Sequence, residues 1–559
     1  MSQSASPRDA SATVRLADSI IRAGAMYSMA ADRSIYRALA IRDEWIVAVS
    51  EDPHGLDGLV STGTRVIDEP GLTILPAFDD DHNHFILAAE DIDLVQADQA
   101  HNIAELVELI RQRAVQTPKG QWIRTSLAWQ ESNLAERRLP TAPELDQASQ
   151  DHPIWVKRGG HVGVANSLAL HMAGLTGETP DPPGGIIKHF PNGTLTGELL
   201  EEPAWSLVER LIPPLPFEQQ VHDLQQICQL YNVYGIGTVR DPIVTRDQLL
   251  VYQALRERGG LTMRCRLMYL IPHGVTIAEQ IADIQSLGVR SGFGDDLLKI
   301  WGLKTHMDGG GAAGALDRPY SNNPTFSGEV FWKPDDMVEV LNFAVRRGWR
   351  VGTHALGDRA VRTLLDVYER VVADNPGLKP GTLVIEHAFL ADETQRARAI
   401  RLGVSITVQH PLLYALGAQL LDGWGKERAN QIFPIRAWVE EGAQVSAGSD
   451  SPPTAFDPMQ ALWGMVTRGT KQIGIQGPEQ AIDQYTAMQL YTAASAQLNW
   501  ESDRRGTIQP RRLADLVAYR TDPLTCPIDE LLSLRPTFTL VGGRAEYDAE
   551  SLFDHEERT

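Results

Sequence analysis

Cysteine is nearly missing from this chain: three residues in 559, Cys228, Cys265 and Cys526. They are far apart, odd in number and form no CxxC, which argues against a disulfide framework and against a thiolate zinc site. Positive charge is also in short supply. Against 72 Asp and Glu stand 51 Lys and Arg, a formal net charge of −21, so the phosphate backbone of nucleic acid is not an expected partner. No uninterrupted apolar run reaches the roughly 18 residues of a membrane span. The N-terminus, Met1-Ser-Gln-Ser-Ala-Ser-Pro-Arg-Asp9, lacks the basic start and apolar run of a secretory signal. No membrane partner is expected, and a reducing cytoplasm is the expected compartment. Internal repeats, low-complexity tracts and coiled-coil heptads are absent as well.

What remains is a 43% hydrophobic chain, globular in composition and too long for one simple core. Residues 11–75 carry short β-type runs, including Ala17-Asp-Ser-Ile-Ile21, Trp45-Ile-Val-Ala-Val49 and Leu72-Thr-Ile-Leu75, separated by turn-prone residues. They read as a small antiparallel sheet. From 76 to 503 apolar β-runs alternate with helical stretches. Leu298–Lys304, Arg350–His354, Thr382–His387, Val404–Val408 and Gln444–Gly448 are the clearest strands, with helical candidates over 334–347, 358–374 and 392–402 between them. Strand–helix alternation of about eight units implies parallel strands closed into a (β/α)8 TIM-like barrel, which keeps its chemistry at the C-terminal strand ends. The stretch 98–215 breaks that rhythm and reads as an insertion over the barrel mouth. After 504, Ala514–Tyr519 and Thr537–Val541 return to strand pattern. The expected fold class is therefore α/β: the barrel over 76–503, a small β-sandwich domain composed of 11–75 and 504–548 from the two chain ends, and the insertion.

His82 and His84 follow an apolar run beginning at Ile74. Two residues apart on a strand means one face, so both imidazoles are expected to point at one metal ion. With 15 histidines in the chain, chance alone supplies roughly 0.4 such pairs, and the pair needs company. It has it. Lys304, His354, His387 and Asp450 each sit at or just after the C-terminal end of a later expected strand. Singly each has an ordinary reading: a hydrogen-bonded structural histidine, a solvated lysine, an aspartate capping a turn. Jointly they place one polar group per strand at the end where barrels keep their sites.

The order HxH, Lys, His, His, Asp resembles the amidohydrolase superfamily. Local motifs point to its amidohydrolase-3 group, the YtcJ-like and N-substituted formamide deformylase-like proteins. Leu75-Pro-Ala-Phe-Asp-Asp-Asp-His-Asn-His84 is similar to LPGFxDxHxH, with Ala77 where the family has Gly. Lys304-Thr-His-Met-Asp-Gly309, His354-Ala-Leu-Gly-Asp-Arg-Ala360, Ile385-Glu-His387, Gly448-Ser-Asp-Ser-Pro452 and Ala514-Asp-Leu-Val517 resemble KxxxDG, HAxGDRA, IEH, GSDxP and ADLV. The resemblance implies one or two divalent metal ions, zinc by preference, with His82 and His84 on the more buried ion. It further implies a CO2-carboxylated Lys304 bridging the ions, His354 and His387 on the second, and Asp450 as ligand and catalytic proton acceptor. Asp80 occupies the family's Asp position, with the expected role of supporting a ligand imidazole. Asp79 and Asp81 read as a solvated turn.

Further candidates for contact with a small-molecule substrate are His306, two residues beyond Lys304, His410 in Gln409-His-Pro411, His161 in the insertion, Trp129 and Tyr320. Trp301, Trp332 and Tyr414 are additional aromatic candidates. The glycine-rich Gly309–Gly314 lacks the features of a phosphate loop and reads as a flexible loop over the site. The expected reaction is hydrolysis of a non-peptide C–N bond by a metal-activated hydroxide. Alternatives on the same scaffold are a metal-dependent lyase, decarboxylase or hydratase, since fold does not fix reaction, and a non-catalytic binding protein. Similar proteins suggest a homodimer.

Overall fold

The structure, a computed structural model, describes residues 16–127, 129–131, 134–160, 162–182, 185–272 and 274–553. Its centre is an eight-stranded parallel sheet: β1 (Phe78–Asp80), β2 (Ile236–Val244), β3 (Arg264–Leu270), β4 (Leu298–His306), β5 (Val351–Ala355), β6 (Leu383–His387), β7 (Ser405–Val408) and β8 (Val445–Ala447). Neighbours pair in chain order from β1 to β8. The ring closes where the Asp81 N–H donates to Ala447 O at 3.2 Å and the Asp450 N–H to His82 O at 2.7 Å. Every residue of β6, β7 and β8 is buried, as expected of parallel strands covered on both faces. Helices between strands bury one apolar stripe each. In Asp358–Asp374 the buried set Val361, Leu364, Leu365, Tyr368 and Val371 follows the helical repeat. Side chains also set where helices begin: Thr245 with Gln248, Thr276 with Glu279 and Asp392 with Gln395 form capping boxes.

Both chain ends build a seven-stranded sheet in the order Arg544–Asp548, Phe538–Val541, Leu516–Tyr519, Arg65–Pro76, Ser19–Tyr27, Ile35–Arg42, Trp45–Ser50. Its pairs are antiparallel except Ser19–Tyr27 with Arg65–Pro76. The insertion carries its own five-stranded sheet, Ile123–Arg124, Ile154–Arg158, Val162–Ala165, Leu195–Leu200 and Ile186–His189. It also has its own apolar cores, one around Leu106, Ile110, Ile123 and Val156. Among the described residues no helix is long and apolar enough to cross a membrane.

The entry into the barrel differs from the sequence expectation. The run from Ile74 to Phe78 is not one strand: Arg65–Pro76 belongs to the end sheet and Phe78–Asp80 to the barrel. Ala77 is the joint, its N–H donating to Asp515 O at 3.0 Å. Asp79 and Asp81 are 3% and 1% exposed, not a solvated turn. Asp79 is paired with Arg505, and Asp81 accepts from Asn499 Nδ2 at 2.8 Å. The Asp79–Arg505 pair belongs to a buried ionic floor. There Glu501 binds Arg266, Lys299 and Arg505, and Arg264 forms two hydrogen bonds of 2.8 Å to Asp515.

Candidate metal centre

Six sequence candidates come together at the C-terminal mouth of the barrel. His82, His84, Lys304, His354, His387 and Asp450 line one cavity of about 460 Å³. Lys304 points from β4, His354 from β5 and His387 ends β6, while Asp450 follows β8 by three residues. His82 and His84 do not owe their common direction to a strand. β1 stops at Asp80, and His84 is the residue before helix Phe85–Asp91. A turn aims them: His84 Nε2 and His82 Nε2 lie 3.0 and 3.3 Å from the same oxygen, Asp450 Oδ1.

Donor and acceptor roles fix the imidazoles. His82 Nδ1 faces Glu386 Oε2 at 2.6 Å, His387 Nδ1 faces Gln409 Oε1 at 2.6 Å, and His354 Nε2 faces Gly309 O at 3.2 Å. Those oxygens only accept, so the three nitrogens facing them carry the protons. The other nitrogen of each ring keeps its lone pair for a ligand. His82, His387 and Asp450 each place one such atom within 4.8 Å of the others. His82 Nε2, His84 Nδ1 and Asp450 Oδ1 are buried without a hydrogen-bond partner. Buried polar atoms are nearly always paired. His82 Nε2 and Asp450 Oδ1, unpartnered and converging with a ligand atom of His387, match the imidazole and carboxylate donors of a divalent transition metal, so the residues fit the implied ion.

The electrostatics agree with neutral imidazoles beside an ionised carboxylate. Burial, then the neighbouring Lys304, pushes His354 down to about 3. Burial and the surrounding histidines hold His387 well below its ordinary value. Burial alone would raise Asp450, but its contacts with His82 and His84 more than offset that and hold it well below the carboxylate range. Lys304 is pushed down to about 8 by burial, against the opposing pull of Glu386 and Asp450. Backbone strain gathers here as well. His387 and Asp450 have φ of 76° and 64°, uncommon for residues with a Cβ and concentrated at functional sites. Gly448 permits the close approach of this loop, because a Cβ there would meet His82 N at 2.5 Å.

Four supporting residues, Glu386, Arg240, Thr407 and Gln409, escaped the sequence reading. Glu386 is 0% exposed. It is held by Arg240 through two hydrogen bonds of 2.8 Å and by Thr407 Oγ1 at 2.7 Å. Burial would push its carboxyl up, and Arg240 and His82 more than offset this, keeping it well below its ordinary value. Glu386, and not Asp80, is the carboxylate on the His82 ring. Asp80 instead accepts from Ser449 N at 2.8 Å, Ser449 Oγ at 2.6 Å and Asn83 Nδ2 at 2.8 Å, so it ties the His82 turn to the Asp450 loop. Gln409, the residue before the substrate candidate His410, holds the His387 ring. A charged residue within an otherwise apolar strand was the available signal for Glu386.

The substrate candidates divide. His306 lines the cavity, its ring 5.2 Å from that of His354. His161 lies outside the described residues. His410 is 1% exposed and packs against Gly464, where a Cβ would meet its Nδ1 at 2.2 Å; it lines no cavity of the mouth. Tyr320 is buried, and its hydroxyl donates to Gly314 O at 2.9 Å. With Trp424 Nε1 donating to Gly311 O at 2.7 Å, Tyr320 pins the glycine-rich loop, which is tied down rather than free. Trp129 donates to Lys157 O at 2.8 Å and faces a neighbouring chamber instead of the metal cavity. Trp301 lies between Arg240 and Arg350, with guanidinium carbons 4.5 and 3.8 Å from its ring centroid. Trp332 Nε1 donates to Thr305 Oγ1 at 3.1 Å. Arg158, Glu201 and Trp205 of the insertion and Phe331 of the loop after β4 complete the cavity.

Comparison with known proteins gives one consistent picture. The sequence model of the amidohydrolase family matches residues 65–547. An N-substituted formamide deformylase of Arthrobacter pascens is 28% identical over 511 residues, covering 88% of this chain and 91% of the relative. YtcJ of Bacillus subtilis is 26% identical, covering 94% and 98%. Among solved structures, a metal-dependent hydrolase from Pyrococcus horikoshii superposes with a TM-score of 0.74 at 25% identity, covering 91% of this chain and 99% of that one.

Proposed function

The chain belongs to the amidohydrolase family, and from that premise we propose that it is a metal-dependent hydrolase that cleaves a non-peptide C–N bond of a small molecule. The observation that carries this reading is the convergence of ligand atoms from His82, His387 and Asp450 within 4.8 Å of one another, His82 Nε2 and Asp450 Oδ1 being buried without a hydrogen-bond partner. The Arthrobacter relative is an N-substituted formamide deformylase, which supports the choice of bond.

In this reading His82, His84 and Asp450 would hold one ion and His354 and His387 a second, with Lys304, once carboxylated, as a further ligand. The depressed Lys304 amine favours the neutral form that reacts with CO2. Zinc is our choice of ion, because imidazole and carboxylate ligands suit it. Bound there, a divalent ion supplies Lewis-acid polarisation of the substrate carbonyl and a water ionisable near neutral pH. The protein's own part is positional and acid–base. Glu386, Gln409 and Gly309 hold the three ring tautomers, and the insertion covers the mouth against bulk water. Asp450 accepts a proton from the attacking water and returns it to the leaving nitrogen, so that the amine departs neutral. Three free cysteines, two of them buried, suit a reducing cytoplasm.

The test is chelation followed by reconstitution, with mass analysis of products from a panel of N-formyl and N-acyl amines. Expected are loss of activity, recovery with zinc, and products summing to substrate plus water. Hydrolysis indifferent to chelation, or loss of CO2 in place of hydrolysis, would overturn the proposal.

A further inference from the structure

Beside the metal cavity lies a second chamber of about 570 Å³, within the usual range for small-molecule pockets. The two share Gln130 and Pro453 in their walls. The loop after β8 is the partition: Asp450 faces the first cavity, and 451–457 lines the second. The metal chemistry has no use for this space.

Its walls are aromatic and already fixed. Phe456 stacks on Tyr231 with centroids 4.1 Å apart and meets Tyr234 edge-on at 5.0 Å. Tyr414 is held edge-on against Trp463 at 6.1 Å, and the Trp129 indole is tied to Lys157 O. Rings that lose no further freedom on binding give large contact area at small entropic cost. Asp457 is paired with Arg535 at 3.4 Å, which leaves Asp91 and Asp98 against Lys471 among the lining residues. Asp91 accepts from Leu127 N at 3.0 Å, and burial pushes its carboxyl up to about 6. An anion placed in this chamber would meet like charge at reduced screening.

We propose that this chamber is the recognition pocket for the part of the substrate remote from the scissile bond, and that it takes a neutral or cationic aromatic or branched apolar group and rejects an anionic one. The assignment of the group to a substrate rests on the hydrolase reading of the adjoining cavity.

Calorimetric titration of the metal-loaded full chain tests it, with 2-phenylethylamine, 2-phenylethanol and phenylacetate as probes. The amine and the alcohol are expected to bind, and phenylacetate at least tenfold more weakly. Ala415→Phe projects a ring into the chamber from helix His410–Gln431. It should weaken the amine and the alcohol at least tenfold at unchanged metal content. It should also lower the ratio of kcat/KM for N-formyl-2-phenylethylamine to that for N-methylformamide. Ala455→Phe, on the partition, repeats the test should Ala415→Phe not fold. Equal binding of the three probes, or filled variants that bind like the wild type, would overturn the inference. Probes that bind as expected while no formamide is hydrolysed would instead overturn the C–N reading and leave the chamber standing.

Discussion

Glu386→Gln isolates the least expected feature of the site. The carboxylate is wholly buried and makes four contacts: His82 Nδ1 at 2.6 Å, Arg240 Nη1 and Nη2 at 2.8 Å each, and Thr407 Oγ1 at 2.7 Å. Glutamine keeps the shape and removes the charge. Two costs follow. The Arg240 guanidinium, 0% exposed, loses its only close counter-charge among the described ion pairs, and breaking a buried pair in this way costs about 3–5 kcal/mol. The His82 ring loses a charged partner on its Nδ1–H, and such losses weaken metal affinity by about 10–100-fold, or about 1.4–2.7 kcal/mol. Urea unfolding of the metal-free protein reads the first cost, and competition with a chromophoric chelator reads the second. Adding Arg240→Met to Glu386→Gln should recover much of the stability and none of the metal affinity, because only the first cost comes from the stranded cation. Wild-type metal affinity in Glu386→Gln would refute the argument that this carboxylate holds a ligand imidazole.

Asp450→Asn should lower kcat by about 10²–10⁴-fold, the usual worth of a general base, with an unchanged circular dichroism spectrum; an unchanged rate would move the proton acceptor elsewhere. Gly352→Ala places a Cβ 2.3 Å from Glu386 Oε1 and 2.5 Å from Met268 Cε. It should therefore reduce metal affinity in the direction of Glu386→Gln without altering charge, and full affinity would show that the carboxylate position is not critical. For Asp91, burial raises the folded carboxyl from 3.8 to about 6. The folded state thus binds this proton more tightly, and the penalty of ionising it is absent below pH 4, grows between 4 and 6 and is complete above. Asp91→Asn should stabilise the protein by up to about 3 kcal/mol at pH 8 and by nothing near pH 4; equal effects on unfolding free energy at both pH values would contradict the sign.

Much of this was legible in the amino-acid order, for reasons that differ by region. Parallel barrel strands are buried on both faces, so 383–387 and 404–408 stand out as apolar runs, and His387, ending the first, marks the mouth. The His82–His84 spacing led to the right neighbourhood through the wrong geometry, since a turn and a helix start, not a strand, aim the two rings. At 409–410 the difference was one residue: Gln409, between strand and helix, reaches His387, and His410, the first residue of the helix, packs on Gly464. Asp79 and Asp81 looked solvated because sequence does not reveal partners 400 residues away, Arg505 and Asn499. In the insertion the strands run from two to six residues, too short for a clear period. Trp129 and Tyr320 could not be sorted without the carbonyls to which they donate.

The most direct test of the central claim is a crystal structure of the zinc-loaded protein with anomalous data collected at the zinc edge. The account predicts anomalous density in the cluster of His82, His387 and Asp450, one peak within coordination distance of His82, His84 and Asp450 and a second near His354 and His387, with extra density beyond Lys304 Nζ. Full zinc occupancy with no peak at that cluster, or a peak held by other residues, would contradict it.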